Sequence, residues 1–107
     1  MQITHIEVIP VRIPLKPARY MVTALGWHTE SKYLLVRVIT SSGLEGIGEA
    51  DSQPEVVKAI IDAPFSHNIA CGLRQVLLGE NPLEQERLWQ KMYRRTMYFG
   101  RTGAGIT

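Results

Sequence analysis

Apolar and polar positions alternate with a period of two through the first half of the chain, as β-strands require. The alternation is clearest in YLLVRVITSSGLEGIGEAD, residues 33–51, which predicts two antiparallel strands joined by a tight turn at Gly43. Residues 3–15 predict a further strand, and a change of parity near Pro10 predicts a bulge or bend there and an edge position. Together the three segments predict a three-stranded antiparallel meander sheet.

Two glycines interrupt the last predicted strand. Gly46 and Gly48 share one strand face, which they leave without side chains. We therefore expect the protein's own helices to cover one face of the sheet, and another piece of structure to cover the face thinned by the glycines.

The second half of the chain changes to helical spacing. Residues 52–55, SQPE, have the form of a capping box and predict a helix that ends at Pro64. Residues 66–78 predict a second helix with Gly79 as its C-cap, and residues 81–98 predict a third that begins at Asn81. Strands followed by helices predict an α+β fold, with a helical bundle on one face of the sheet.

The segment between the first two predicted strands, residues 15–31, is longer than a hairpin needs and shows no period. It carries apolar and aromatic side chains, which need a surface against which to be buried. Two interpretations are open at this point: the segment folds back on its own sheet, or it covers a pocket or a partner.

Composition limits the class of protein. The chain has 107 residues, of which 45% are hydrophobic, and a net charge of +2, so it predicts one globular domain without a strongly basic nucleic-acid surface. Its one cysteine, Cys71, excludes an internal disulfide. Neither a signal peptide nor an apolar run of membrane-spanning length is visible, which predicts a cytoplasmic protein without a membrane partner.

The residues themselves predict no catalytic centre. The three histidines stand far apart, no cysteine or carboxylate is spaced with them as a closed metal site requires, and Cys71 is expected to be a small buried hydrophobe. Basic and aromatic residues are interspersed over residues 93–101. Two interpretations are open: the segment forms a nucleic-acid-binding surface, or its aromatic side chains lie on a helix and form part of the core. The glycine-rich residues 100–105 follow a predicted helix, whereas the glycine-rich loops that bind phosphate follow a strand. These residues therefore predict a turn into a further element. We expect the sequence to be a fragment of a longer protein.

Three stretches in this order resemble the N-terminal capping domain of the enolase superfamily, in its mandelate racemase and muconate-lactonizing branch. They are ITHIEVIPVRIPL, YLLVRVITSSGLEGIGEA and LLGENPLEQERLWQKMYRRTMYFGRTGAGI. The resemblance covers almost the whole chain, although no short motif within it is decisive alone. It implies a capping domain over residues 1–99 and, at residues 100–107, a junction into a modified (β/α)7β barrel that this sequence lacks.

The resemblance also implies the chemistry. In this family the barrel carries the carboxylate ligands of Mg2+ and the Lys or His bases that abstract the proton α to a substrate carboxylate, and the metal stabilises the enediolate. The fragment alone is therefore expected to be inactive. Its expected partners are the barrel of the same chain, a small carboxylate substrate and further copies in a homo-oligomer.

The capping domain of such enzymes acts as a lid, formed here by residues 16–30 and 51–54, which excludes water and contacts the distal end of the substrate. The lid residues expected nearest the substrate are Arg19, Tyr20, Trp27 and His28, with Thr102 at the junction as a weaker candidate. Arg and His favour a polyhydroxylated acid, so acid-sugar dehydration is the first expectation, with racemisation or cycloisomerisation as alternatives. The rival classes are a stand-alone nucleic-acid-binding module and a protein-interaction module.

Overall fold

A three-stranded antiparallel sheet with helices on one face forms the protein. The computed structural model describes residues 1–51 and 53–100. The strands are β1 (Ile3–Pro14), β2 (Met21–Thr23), β3 (Gly26–His28), β4 (Glu30–Thr40) and β5 (Glu45–Ala50), and the helices are α1 (Pro54–Asp62), α2 (Leu73–Leu77) and α3 (Gln85–Arg95). The main sheet has the order β1-β4-β5, and β2 and β3 form a separate two-stranded sheet. The predicted α+β class and three-stranded meander are confirmed.

Strand β1 lies at an edge of the sheet, as Pro10 predicts, but the bulge expected beside this proline is wrong. Pro10 pairs with Leu34 in a register that runs unbroken from His5 to Pro14, and the irregularity lies between Ile3 and His5 instead. The physical reason is the edge position. A strand without a second neighbour can hold a proline, because nothing on its open side needs the missing N–H.

The glycines lie on the helix-facing side of the sheet, which corrects the expectation that they thin the other face. Gly46 pairs with Val38 and Gly48 with Val36. Directly paired residues share a face, and both valines pack against the core beneath the helices. The alternation of the sequence places the two glycines together, but it does not say on which side the helices pack.

Leu34, which is fully buried, occupies the centre of the middle strand and of the core. The residues packed with it come from β1 and from all three helices: Ile3, Ile6, Val57, Ile61, Leu73 and Leu88. A central strand between two others places one of its faces under the whole helical layer, which explains why this leucine has no contact with solvent.

The first helix begins one residue later than the capping box predicts. Its N-cap is Gln53, whose side-chain Oε1 accepts a hydrogen bond from the backbone N–H of Glu55 over 3.4 Å. The predicted cap, Ser52, lies outside the described residues. A glutamine side chain therefore satisfies one of the N–H groups that the first turn leaves free.

The second and third helices are shorter than their spacing predicts. Only Leu73–Leu77 of the second is helical, because His67 and Ala70 pair in a turn before it. The third begins at Gln85 because Asn81 Oδ1 accepts the N–H of Leu83 in a turn, and it ends at Arg95. Gly79 follows the second helix at φ 85°, as its predicted C-cap role requires. In the part of the chain that the structure describes, each helix is too short or too polar to cross a membrane.

Candidate functional site

The segment expected to be an irregular loop contains a small β-hairpin, residues 21–28. Met21 pairs with His28, Val22 with Trp27 and Thr23 with Gly26. Thr23 Oγ1 accepts the N–H of Leu25 and donates to the carbonyl of Gly26, both over 3.2 Å, so one side chain closes the turn. Strands of three residues give too short an alternation to be recognised in a sequence, and the prediction of an aperiodic loop was wrong for this reason.

The hairpin continues the ribbon formed by β1 and β4. The last register pair of that ribbon is Pro14 with Glu30, and the N–H of Leu15 donates to the carbonyl of Thr29 over 2.9 Å. Between Leu15 and the hairpin, Pro17–Arg19 form one turn of 3-10 helix. The hairpin therefore projects from the end of the sheet where β1 finishes and β4 begins.

The four lid residues expected in this segment all have exposed side chains. Arg19 lies at the end of the 3-10 turn, and Tyr20, Trp27 and His28 lie in or beside the hairpin. The ring of Tyr20 meets that of Trp27 edge to face, with centroids 6.4 Å apart and planes at 72°. Trp27 is 69% exposed and Tyr20 37% exposed, so the domain itself leaves most of Trp27 and about a third of Tyr20 uncovered. Contact of these residues with a substrate stays a prediction.

Sequence reasoning gave no site role to three further exposed apolar residues of the hairpin, Met21, Val22 and Leu25. Val22 lies beside the aromatic pair, and Leu25 at the turn is fully exposed. The pairing of Val22 with Trp27 across the hairpin is supplied by the structure and could not be found in the sequence.

The second lid segment, residues 51–54, lies at the same end of the sheet. It follows Ala50, which pairs with Leu34 at the end of β5. Residues of β1 and β4 and residues at the start of α1 line one cleft of about 330 Å³; they are Pro10, Val11, Arg12, Lys32, Gln53, Pro54 and Glu55. Arg12 and Lys32 each lie 3.3 Å from Glu30, so their charges are shared with that carboxylate.

An apolar surface lies where the described chain ends. Phe99 lines a cavity of about 440 Å³ with Val56 and Ile60 of α1. Val56 and Phe99 are both substantially exposed. Glu55 at the start of α1 lines both this cavity and the cleft formed with β1 and β4, so the two lie beside one helix. Thr102, and the junction expected at residues 100–107 apart from Gly100, lie outside the described residues.

A second apolar groove, of about 470 Å³, opens between β5 and α3. Its walls include Val38 and Gly46 of the sheet and Leu88, Trp89 and Met92 of the helix. Gly46 contributes no side chain to this groove, and a Cβ built there would meet no atom within 4 Å.

No metal-ligand cluster forms within residues 1–51 and 53–100, where no three His, Cys, Asp or Glu side chains come together. The side chains described here therefore do not fit a Mg2+ site. Cys71 is buried and its Sγ donates to the carbonyl of His67 over 3.1 Å, which fits the structural role expected for it.

The two carboxylates with a lowered pKa, Glu80 and Asp62, form ion pairs in the helical layer and do not line a cleft. Hydrogen bonds from Arg87 and then Lys91 lower the pKa of Glu80 to about 2. Hydrogen bonds from Arg74 and then Lys58 lower the pKa of Asp62. Both carboxylates are held by cations of neighbouring turns and helices, an arrangement typical of structural ion pairs.

The basic and aromatic segment is partly used within the fold. Trp89 stacks on Tyr93 with ring centroids 5.2 Å apart, and the ring of Tyr98 lies 6.1 Å from that of His67. Arg95 donates to Asn68 Oδ1 over 3.1 Å. The alternative in which these aromatics form core is not borne out, because Tyr98 is 67% exposed and Phe99 is 37% exposed.

Solved structures share this fold at modest sequence identity. A racemase from Streptomyces coelicolor A3(2) with bound magnesium is 28% identical, with a TM-score of 0.77 over 95% of this chain and 27% of that one. A 2-chloromuconate cycloisomerase from Rhodococcus opacus 1CP is also 28% identical, with a TM-score of 0.69 over 84% of this chain and 24% of that one. A member of the enolase superfamily from Polaromonas sp. JS666 is 25% identical, with a TM-score of 0.75 over 99% of this chain and 26% of that one.

The chain thus spans about a quarter of the length of these structures. Residues 3–107 match the family described as mandelate racemase / muconate lactonizing enzyme, N-terminal domain. The match includes the strands, the hairpin and the helices described above. The chain belongs to the mandelate racemase / muconate lactonizing enzyme N-terminal domain family of the enolase superfamily.

Proposed function

We propose that this chain caps the active site of a longer enzyme that abstracts the proton α to the carboxylate of a small substrate. One observation carries the proposal: the hairpin projects from the end of the sheet, and its Trp27, which meets the ring of Tyr20, is 69% exposed. Aromatic side chains that their own domain does not bury need a cover from outside it. Family membership supports a barrel of the same chain as that cover.

The capping segments supply exclusion of water and contacts to the distal part of the substrate. A closed lid lowers the local dielectric, which strengthens every charge interaction at the reacting carboxylate. Arg19 and His28 can donate hydrogen bonds to hydroxyls or to a second carboxylate of the substrate. Tyr20 and Trp27 are the candidates for an apolar wall, and Thr102 remains a weaker candidate at the junction.

The metal belongs to another part of the longer protein under this proposal. The described residues do not form a Mg2+ site, so Mg2+ is expected to be held by the barrel. The racemase from Streptomyces coelicolor A3(2), crystallised with bound magnesium, supports this expectation. The present chain by itself is therefore proposed to be inactive, and to work with the barrel in a homo-oligomer.

Acid-sugar dehydration is the reaction proposed first, because Arg19 and His28 place polar donors on the lid. Racemisation and cycloisomerisation are the alternatives, and the names of the racemase and the 2-chloromuconate cycloisomerase support them. All three reactions share a step in which the carbon next to a carboxylate loses or gains a proton; in a cycloisomerisation the proton is lost in the direction from the lactone to the muconate. A test of this shared step, the transfer of the α-proton, does not require the natural substrate to be known.

The test uses the full-length parent enzyme with Mg2+ in D2O. Proton NMR follows exchange of the α-proton in a hexonate acid sugar, an aromatic 2-hydroxy acid, an N-acyl amino acid and the lactone of a muconate. We expect loss of the α-proton signal with at least one probe, and loss of water as well if dehydration is the reaction. Absence of exchange with every probe would overturn the proposal.

Two variants test the lid within that assay. Arg19→Ala and His28→Ala are expected to lower kcat/KM about tenfold or more, because each removes a hydrogen-bond donor proposed to contact the substrate. Gln75→Ala, an exposed residue of α2, is the matched control and should leave kcat/KM unchanged. Equal effects of all three substitutions would contradict a lid role for Arg19 and His28.

A further inference from the structure

The last strand of the main sheet, β5, has an open edge. It is the terminal strand of the order β1-β4-β5, so only its β4 side is paired in the part of the chain that the structure describes. The N–H of Thr40 donates to the carbonyl of Leu44 over 3.0 Å, and hydrogen-bonded pairs recur at every second residue along an antiparallel ladder. The residues of β5 whose backbone groups point to the open side are therefore Glu45, Ile47 and Glu49.

These three residues are available to a further strand. Within residues 1–51 and 53–100, no backbone hydrogen bond from an element other than β4 reaches them, and all three are exposed. An open edge is a template for strand pairing, which proteins often block with a proline or a bulge. Strand β5 contains no proline, and its pairing with β4 is free of bulges. Its edge is protected by charge alone.

An apolar groove lies beside this edge on the helix-facing side. Gly46 and Gly48 contribute no side chains there, and a Cβ built at either position meets no other atom within 4 Å. The helix wall of the groove, which has a volume of about 470 Å³, includes Leu88, Trp89 and Met92. Because side chains alternate along a strand, every second side chain of an added strand would point to this side and enter the groove.

The opposite face of the edge is acidic. Arg37 donates to Glu45 over 2.7 and 3.0 Å and to Glu7 over 2.8 Å, so one cation is shared between two carboxylates. Glu49 forms no ion pair with any described residue. Ile47 lies between the two glutamates of the strand and is 75% exposed. This face is complementary to a strand that carries a basic, an apolar and a basic side chain at alternate positions.

The same charges disfavour a second copy of this chain at the edge. Antiparallel pairing of two β5 strands about Ile47 would place Glu45 of one copy opposite Glu49 of the other, and like charges directly opposite each other destabilise a sheet. A shift by two residues in either direction still leaves glutamates of the two copies as diagonal neighbours. The acidic face disfavours a nucleic acid for the same reason.

We propose that the open edge of β5 binds an extended segment of a partner protein as a fourth strand of the sheet. Large apolar side chains of the segment enter the groove beside Gly46 and Gly48. On the other face, a basic, an apolar and a basic side chain lie opposite Glu45, Ile47 and Glu49. In this mode of recognition, backbone hydrogen bonds supply affinity and the alternate side chains supply specificity.

Fluorescence anisotropy with the full-length parent protein and the fluorescein-labelled peptide SKLVLKS tests the binding. This peptide presents two lysines and a valine on one face and two leucines on the other, in either chain direction. We expect saturable binding, and binding of SELVLES that is weaker by about fivefold or more, because its acids would lie opposite the glutamates of β5. The peptide SKLPLKS, whose proline interrupts the strand, should not bind.

Two variants at one position locate the peptide on β5. Ile47→Pro removes the N–H that points to the open side and leaves the hydrogen bonds to β4 in place, as an edge strand allows. Ile47→Ala is the matched control, because it keeps this N–H and also removes the exposed side chain. We expect SKLVLKS to bind the Ile47→Pro protein about tenfold or more weakly than the Ile47→Ala protein.

A charge reversal decides the question if the Ile47→Pro protein does not fold. Glu49→Lys changes an exposed side chain and should abolish the preference for SKLVLKS over SELVLES. Glu55→Lys, the same change at an exposed position on α1, is its control and should keep that preference.

The proposal is overturned if SKLVLKS does not bind, as happens when another part of the parent protein covers the edge, or if both Ile47 variants or both charge reversals give equal results. It is also overturned if sedimentation velocity without peptide shows a dimer that Ile47→Pro dissociates, because a second copy then occupies the edge. The binding does not depend on the proposed reaction, so a parent protein that exchanges no α-proton would leave it intact.

Discussion

Val36 and Gly48 lie directly opposite each other in the β4–β5 ladder, on the face that the helices cover. A Cβ built at Gly48 meets no other atom within 4 Å, and an apolar cavity of about 200 Å³ lined by Val36, Val57 and Met92 lies on this face. The helix-facing side of β5 is therefore underfilled.

Gly48→Ala is expected to stabilise the protein by about 0.5–1 kcal/mol, since alanine loses less chain entropy in a strand than glycine and adds a methyl group to an apolar space. Urea unfolding followed by circular dichroism measures the change. Gly43→Ala is the control, because Gly43 has φ 86° and the same substitution there should destabilise. A lower unfolding free energy for Gly48→Ala would contradict the underfilled face.

Gly72→Ala is expected to have the opposite sign. A Cβ at Gly72 would overlap the backbone carbonyl of Ala63, so the end of α1 and the start of α2 approach closely at a place where only glycine fits. Overpacking of this kind costs about 1–3 kcal/mol. The same urea titration should show the loss, and an unchanged midpoint would mean that the two helices separate without cost.

Leu34→Ala should remove about 2–5 kcal/mol of stability, because the side chain is fully buried at the centre of the middle strand and its removal leaves a cavity. Unfolding by urea or heat measures this loss. Ile47→Ala, at a position 75% exposed on the neighbouring strand, should change stability by no more than about 0.5 kcal/mol. Similar losses at the two positions would contradict the placement of the core.

Glu80 should make stability depend on pH in the acid range. Its carboxylate accepts hydrogen bonds from Arg87 and from Lys91, the latter over 2.6 Å, and its pKa falls from 4.5 to about 2. A lowered pKa in the folded state means that the contribution is complete above pH 4.5 and is lost as the pH falls toward 2.

The test compares the unfolding free energies of the unsubstituted protein and Glu80→Gln across this range. The difference should be largest near neutral pH and should shrink below pH 4.5. Glu55→Gln, an exposed carboxylate at the start of α1, is the control and should show a smaller difference. A Glu80→Gln difference that stays constant with pH would contradict the role of this ion-pair cluster.

Prediction from the sequence succeeded where the signal is local and repeated. The alternation over residues 33–51 predicts β4, β5 and the turn at Gly43 correctly, and the edge position of Pro10 follows from the chemistry of proline. It failed at the short hairpin and at residues 66–72. In both places the backbone finds its partners through turns and isolated pairs that leave no periodic pattern.

The candidate site was predicted only as a segment. Arg19, Tyr20, Trp27 and His28 are exposed together in or beside the hairpin, but the sequence placed them on one undivided lid surface. The pairing of Met21 with His28 and of Val22 with Trp27 is a cross-strand relation. It separates Trp27 from its neighbour His28, which no reading of adjacent residues reveals.

By itself the sequence determined the α+β class, the three strands of the meander and the resemblance that the family match confirmed, because alternation, helical spacing and motif order are written along the chain. The tertiary structure alone decided that Gly46 and Gly48 face the helices and that Gln53 and Pro54 share a cleft with β1 and β4. The physical reason is that periodicity assigns residues to a common face, whereas the choice of which face is covered depends on packing between elements distant in the chain.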